Sequence, residues 1–292
     1  LWFAQLDVIW RMSSSGHLAE FSFMQSTRDV SYDSSDGGME IIAGPDGNLW
    51  FTGSSSHKIG RISLNGKITE FYLSPYGDYS PGSITTGPDG NIWFIDSNSN
   101  AIGKFSPINP SGSMTEFLPP SSMGVPLKII AGPNGNLWFI ASGDQIGRIS
   151  PSGIITAFPY STSAGSSATS ITVGPDSNLW FTDCNDSKIG RISPSGRVTE
   201  FLLPAFDRSI VGKSGGEERP SACPNDITTG PDGNLWFTEN HKIGRISPSG
   251  TITEFSLPSA LVYPGQITAG PDGNLWFTEG NAYKIGRITS GK

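Results

Sequence analysis

One octapeptide written six times constrains this chain more than any other feature. Gly270-Pro271-Asp272-Gly273-Asn274-Leu275-Trp276-Phe277 recurs with small changes from Gly44, Gly87, Gly132, Gly174 and Gly230. A truncated copy opens the chain as Leu1-Trp2-Phe3. Seven of the eight tryptophans hold this one position (Trp2, Trp50, Trp93, Trp138, Trp180, Trp236 and Trp276), at spacings of 48, 43, 45, 42, 56 and 40 residues. Self-similarity at such a period marks a repeat architecture, and a four-stranded propeller blade is the unit that fits it.

Each copy reads as four strands, a to d. Ile267-Thr268-Ala269-Gly270 is strand a, and Pro271-Asp272-Gly273-Asn274 is a turn in which Pro presets φ, Asp bonds the backbone ahead and Gly takes positive φ. Leu275-Trp276-Phe277-Thr278 is strand b, and Lys284-Ile285-Gly286-Arg287-Ile288-Thr289 is strand c. The preceding copy supplies a second turn, Ser247-Pro248-Ser249-Gly250, and strand d, Thr251-Ile252-Thr253-Glu254-Phe255. Short hairpins make these neighbours antiparallel, and helix periodicity is absent. The expected fold is therefore all-β: a seven-bladed β-propeller of four-stranded antiparallel blades, in a single domain over residues 1–292. The repeated Trp and Phe read as filler between blades, and the Gly positions as places of close strand approach. The Arg of Ile-Gly-Arg-Ile (Arg61, Arg148, Arg191, Arg245, Arg287) recurs too regularly for a single site and is expected to meet the turn Asp.

The strand tally is six a, seven b, seven c and six d. The missing d-then-a pair falls ahead of Leu1, so the sequence predicts roughly 20–35 further residues upstream, whose first strand would close the ring as the outer strand of the last blade. Six blades with leftover strands is the alternative. Two d-to-a links are long, 22–39 and 203–225, and such insertions lie on the surface.

With 37 Gly, 22 Pro and 15% charged residues, the composition is turn-rich. A net charge of −7 argues against nucleic-acid or anionic-membrane partners, and no apolar run approaches the ~20 residues of a membrane helix. Cys184 follows strand b of one blade and Cys223 precedes strand a of the next. They fall at the same end of adjacent blades, which predicts a disulfide anchoring the 203–225 insertion and a periplasmic or extracellular location. No nucleophile elbow, phosphate loop or zinc spacing is present.

The blade Ile-Thr-x-Gly-Pro-Asp-Gly-Asn-Leu-Trp-Phe-Thr-Glu, followed by Lys-Ile-Gly-Arg-Ile-Ser-Pro-Ser-Gly and Ile-Thr-Glu-Phe-x-Leu-Pro, resembles the virginiamycin B lyase (streptogramin B lyase) family over the whole chain. That resemblance implies a seven-bladed propeller and a Mg²⁺-dependent elimination that opens a cyclic depsipeptide without hydrolysis. Elimination needs a base for the Cα proton and an electrophile for the ester carbonyl. The family places histidines in a Pro-His-x-Ile pattern before strand a, and a glutamate closing strand b. Antiparallel pairing brings these two places to one end of a blade. Here the Pro-His place reads Pro81-Gly82, Pro126-Leu127, Pro224-Asn225 and Pro264-Gly265, with no histidine in any copy. The strand-b acid place reads Gln5, Gly53, Asp96, Ala141, Asp183, Glu239 and Glu279 in order, so Glu279 matches the family's glutamate. Tyr263 stands where the enzymes carry another acid.

Of the three histidines, His17 lies at the opposite end, whereas His57 and His241 precede strand c at the end of interest. Glu239 and His241 are candidates for acid–base work, with Glu279 as the matched acid. Glu279 and Glu239 are also candidate Mg²⁺ ligands, against the alternative that His241 sits in a solvated loop. Asp96, Asp183 and Asp226, together with Asn225 and Tyr263, are expected to rim a channel mouth. There the carboxylates would attract a cation, or would pair with Lys188, Lys242 and Lys284. Three functional readings follow. The first is a ligand-binding or sensor propeller that takes a small molecule or peptide at the channel mouth, as a monomer. The others are a Mg²⁺-dependent lyase that recruits His241 and the glutamates, and a structural or protein-interaction ring.

Overall fold

The computed structural model describes residues 1–5, 8–13, 16–22, 40–53, 58–73, 79–108, 114–161, 168–204, 222–258, 263–280 and 284–291. His57 and most of the two long links lie outside the described residues.

The strands form seven antiparallel sheets. The first holds β1 (Trp2–Gln5), β2 (Val8–Met12) and β3 (Leu18–Ser22). The second holds β4 (Ile41–Ala43), β5 (Leu49–Thr52), β6 (Lys58–Ile62) and β7 (Ile68–Tyr72). The third holds β8 (Pro81–Thr86), β9 (Ile92–Asp96), β10 (Ala101–Phe105) and β11 (Thr115–Phe117). The fourth holds β12 (Pro126–Ala131), β13 (Leu137–Ala141), β14 (Gln145–Ile149) and β15 (Ile155–Pro159). The fifth holds β16 (Ala168–Val173), β17 (Leu179–Asp183), β18 (Lys188–Ile192) and β19 (Val198–Leu202). The sixth holds β20 (Ile227–Thr229), β21 (Leu235–Glu239), β22 (Lys242–Ile246) and β23 (Ile252–Ser256), and the seventh β24 (Pro264–Ala269), β25 (Asn274–Glu279) and β26 (Lys284–Thr289). Two single 3₁₀ turns, Ser121–Met123 and Pro133–Gly135, are the only helical pieces among the described residues. Two compact units emerge, Leu1–Ala131 with Gly135–Ala157, and Gly132–Asn134 with Phe158–Lys292.

The repeat builds its core in the same way in each unit. On β5, β9, β17 and β21 the tryptophan faces forward, and the residues on either side of it face back. Trp50 packs with Ile84, Ile92 and Phe94, and Trp180 with Leu235 and Phe237. In the second to seventh sheets the phenylalanine after the tryptophan lies over the glycine opposite it in strand c, whereas in the first sheet Phe3 stands opposite Trp10. A Cβ added at Gly190 would sit 2.0 Å from Phe181 Cζ, and one at Gly244 2.1 Å from Phe237 Cζ. Glycine is thus required there for space.

Each buried indole N–H needs an acceptor, because leaving it unpaired costs about 1–3 kcal/mol. The turn Asp supplies one. Trp50, Trp93, Trp180, Trp236 and Trp276 donate Nε1 to Asp46, Asp89, Asp176, Asp232 and Asp272 at 2.9–3.0 Å. The same carboxylates accept from the Asn two residues on and face strand-c cations: Arg61 at 3.4 Å, Lys104 at 3.8 Å, Arg191 at 3.7 Å, Arg245 at 3.8 Å and Arg287 at 4.0 Å. The recurring Arg also lies over its tryptophan ring, 5.4–5.6 Å from the centroid in these sheets.

Burial works to raise the carboxyl pKa of Asp46, Asp89, Asp176 and Asp232, but the hydrogen bonds from Asn and Trp outweigh it and the net displacement is downward. Asp272, hydrogen-bonded by Asn274 and Trp276 with little desolvation against it, is held down to about 2. Groups whose folded pKa lies below the unfolded value contribute stability above the unfolded value and lose it as pH falls. The thermal midpoint is therefore expected to fall steeply from about pH 4 downward, as scanning calorimetry across pH 2–5 would record. Gly190→Ala is expected to cost about 3 kcal/mol through the clash with Phe181, and Gly233→Ala, with φ +74° but open space, about 1 kcal/mol. Urea denaturation midpoints measure both.

Candidate functional site

The sequence points to the end of the sheets where strand b finishes and strand a begins. Within the second unit this end is formed by β17, β21 and β25 and by the links into β20 and β24. Alternation along β21 sets the directions. Trp236 packs forward with Ile267, Leu275 and Phe277, and Thr238 Oγ1 donates to Gly265 O at 2.7 Å. Leu235 and Phe237 pack backward with Trp180, Leu203 and Ala222. Glu239, two residues on from Phe237, falls on the backward face and is 3% exposed.

Register then decides what Glu239 meets. It stands opposite Lys242 on β22, and Glu254 on β23 stands opposite Gly244, so Glu239, Lys242 and Glu254 share one face. Lys242 Nζ lies 2.5 Å from Glu254 Oε2. Burial first, and the Glu254 charge second, push the Glu239 carboxyl up to about 8 against the opposing pull of Lys242. Sequence reasoning missed Glu254 altogether. Its Thr-Glu-Phe context repeats in the outer strands β7, β11 and β19 and looks structural; only the register reveals that it answers Glu239.

His241 ends a two-residue connection with φ 61°, and its carbonyl accepts from Leu257 N at 3.2 Å. Its ring stands 4.5 Å from that of Tyr263, and the residue is 9% exposed, so it is packed rather than solvated. Tyr263 is 47% exposed, and its carbonyl accepts from Gly280 N at 3.3 Å. Glu279, half-buried, closes β25 opposite Pro264 on β24 and Lys284 on β26. A Cβ at Gly265 would start 2.7 Å from Thr278 Oγ1, so the threonine hydroxyl fills the space beside this place.

Asn225 is exposed, and its carbonyl accepts from Thr169 Oγ1 at 2.8 Å and Thr182 Oγ1 at 3.0 Å. Asp226 joins two neighbouring sheets, accepting from Ser170 Oγ at 2.5 Å and Ile267 N at 2.8 Å. Asp183 is 1% exposed and accepts from Asp186 N at 3.2 Å. In the first unit Asp96 is fully buried and accepts from Ser80 N at 2.8 Å, Asn98 N at 3.2 Å and the Ser99 hydroxyl.

The expected rim of solvated carboxylates is therefore corrected. Asp96, Asp183 and Glu239 are turned into the protein, Asp226 ties sheets together, and only Glu279, Asn225 and Tyr263 retain an open side. Among the described residues no group of three His, Cys, Asp or Glu side chains stands close enough to hold a metal ion. The donors present do not fit the Mg²⁺ that the family resemblance implies, because the Glu239 carboxyl is enclosed with Glu254 and Lys242.

Cys184 and Cys223, 39 residues apart, are joined in a disulfide. It ties the loop after β17 to the link that carries Pro224, Asn225 and Asp226 into β20. Closing a loop of this length contributes about 3–4 kcal/mol by restricting the unfolded chain. The double substitution Cys184→Ser with Cys223→Ser is expected to lower the stability by that amount in urea denaturation, with the tryptophan core of the first unit unchanged in its near-UV signal.

Seven blade-type antiparallel sheets with almost no helix define an all-β, seven-bladed β-propeller. The virginiamycin B lyase family profile matches residues 1–211 and 213–292, and the chain belongs to that family. The structure of virginiamycin B lyase from Staphylococcus aureus is similar, with 33% identity and a TM-score of 0.80 over 99% of this chain and 90% of that one. A catalytically inactive His-to-Ala variant of that enzyme with quinupristin matches at 33% identity and a TM-score of 0.79, covering 97% of this chain and 88% of that one. The extracellular domain of a protein described as a one component system, from B. thetaiotaomicron, shares the fold at 14% identity and a TM-score of 0.73, over 99% of this chain and 39% of that one. Among curated proteins none matches the sequence.

Proposed function

We propose that this protein is a ligand-binding or sensor propeller of the virginiamycin B lyase family, a single domain over residues 1–292, without the family's elimination chemistry. One observation carries the reading. The places before strand a where the resemblance puts histidines hold Gly82, Leu127, Asn225 and Gly265, and His241 is packed against Tyr263. Glu239 is enclosed with Glu254 and Lys242 and offers no base to a bound substrate. The open groups at this end are Tyr263, Asn225, Gln266 and the half-buried Glu279, a set suited to a small molecule or peptide held by an aromatic face, amide groups and one carboxylate. The disulfide supports a periplasmic or extracellular location. The net charge of −7 argues against nucleic acid, and no helix among the described residues is long and apolar enough to cross a membrane. We read the protein as acting as a single chain.

A second reading, a Mg²⁺-dependent carbon–oxygen lyase, is favoured by the retained Glu279 and by 33% identity to an enzyme of that name. Incubation with quinupristin and Mg²⁺, followed by mass spectrometry, separates the two. The expected outcome is intact cyclic compound after prolonged incubation. Appearance of the linearised product would establish the lyase, and product that survived both Glu279→Gln and His241→Ala would place the chemistry elsewhere.

A further inference from the structure

The cluster of Glu239, Glu254 and Lys242 lies outside the open groups assigned to ligand binding, and its geometry is unusual for a surface repeat. Two carboxyl groups are enclosed on one sheet face with a single ammonium, whose Nζ is 2.5 Å from Glu254 Oε2. Oε1 of Glu239 and Oε1 of Glu254 are both buried and accept no hydrogen bond among the described residues. Both side chains lie on one face of the sixth sheet, and among the described residues neither of these two oxygens has a donor. Two carboxylates have no donor between them, so enclosing a second carboxyl beside the Lys242–Glu254 pair favours its protonated form.

The corresponding places in other sheets lack this arrangement. In the second sheet Lys58 pairs with Glu70 at 3.0 Å, but strand b is followed by Gly53. In the fifth sheet Lys188 pairs with Glu200 at 3.4 Å and Asp186 at 3.1 Å, while the shorter Asp183 caps its own four-residue loop. Among the described residues only the sixth sheet combines a long acid with a two-residue connection that brings it to the Lys–Glu pair.

We propose that Glu239, enclosed beside the Lys242–Glu254 pair, is a buried proton-binding site, and that releasing its proton loosens the end of the sixth sheet that carries His241. Among the described residues the charged and titratable groups around Glu239 are few. β22 supplies Lys242, β23 Glu254, and the connection between β21 and β22 His241. Ahead of β20, the Asp226 carboxylate is turned to Ser170 and Ile267 N. The backward neighbours packed with Phe237 are the apolar Leu203 and Ala222, and the fifth sheet's Asp186 and Glu200 are paired with Lys188. One ammonium balances one carboxylate, so the second carboxyl is accommodated neutral.

The direction of the pH dependence follows. Burial and Glu254 raise the folded pKa of Glu239 from 4.5 to about 8, so the folded protein holds a proton that the unfolded chain has released. Stability from this site is fully present below about pH 4.5 and is lost as pH rises toward 8.

The experiment compares urea denaturation of the wild type, Glu239→Gln and Glu254→Gln from pH 5 to 9, with a carboxyl ¹³C NMR titration of the wild type. Glutamine at 239 mimics the protonated form. The unfolding constant of the wild type should therefore rise at least tenfold, relative to that variant, between pH 5 and 8.5. Glu254→Gln removes the neighbouring charge and should move the Glu239 midpoint downward by a unit or more. Curves for wild type and Glu239→Gln that stay parallel within threefold would overturn the proposal. So would a Glu239 midpoint between pH 4 and 5 in the NMR titration, which needs no variant to fold.

Discussion

The hydrogen bond from a buried indole to a turn carboxylate is the interaction on which the rest of this structure depends. A tryptophan fills the space between sheets better than any other residue, but it brings an N–H that must be satisfied there. The Asp two residues into the preceding turn meets that need, and in doing so it fixes the turn, the second strand and the position of the third-strand cation at once. The fourth sheet shows how far the rule bends. Its turn carries Asn134 with φ 60° in place of the Asp, yet Trp138 remains fully buried and Arg148 still lies 5.8 Å over its ring.

Much of this is legible in the sequence itself. Among the described residues the six, seven, seven and six tally of strands is the tally found, because each repeat's strands are bounded by turns whose chemistry is written in Pro, Asp, Gly and Asn. The pairing of the recurring Arg with the turn Asp was readable for the same reason, since both sit at fixed offsets from the tryptophan. The candidate site was legible in position but not in orientation. Nothing in Trp-Phe-Thr-Glu says whether its acid faces solvent or a neighbouring sheet; that depends on strand alternation and on a connection two residues shorter than its counterpart in the fifth sheet. Asp226 read as one more polar link residue because its partners, Ser170 and Ile267, lie 56 and 41 residues away.

The division of labour within the repeat is correspondingly sharp. Positions that are alike in most copies carry packing and the indole acceptor, and positions that differ cluster at the b-to-c connections and the links into strand a. The family fold survives substitution there because those residues contribute little to the intersheet core. Asn225 still holds Thr169 and Thr182 through its backbone carbonyl, a service independent of its side chain. Change at the site and retention of the scaffold are thus separable in this chain.

Asp226 and Glu40 limit that freedom. Asp226 accepts from the sheet before its own and the sheet after it, and Glu40 holds Ser83 Oγ and Ile84 N at 3.0 Å each, with Lys128 of the fourth sheet at 3.8 Å. A carboxylate that serves three consecutive sheets makes them a triplet rather than three interchangeable copies. Duplicating, deleting or shuffling one of them would strand a charge beside partners that no longer complement it. Repeats of this kind therefore multiply freely only until such a bridge forms, after which their order along the chain is locked.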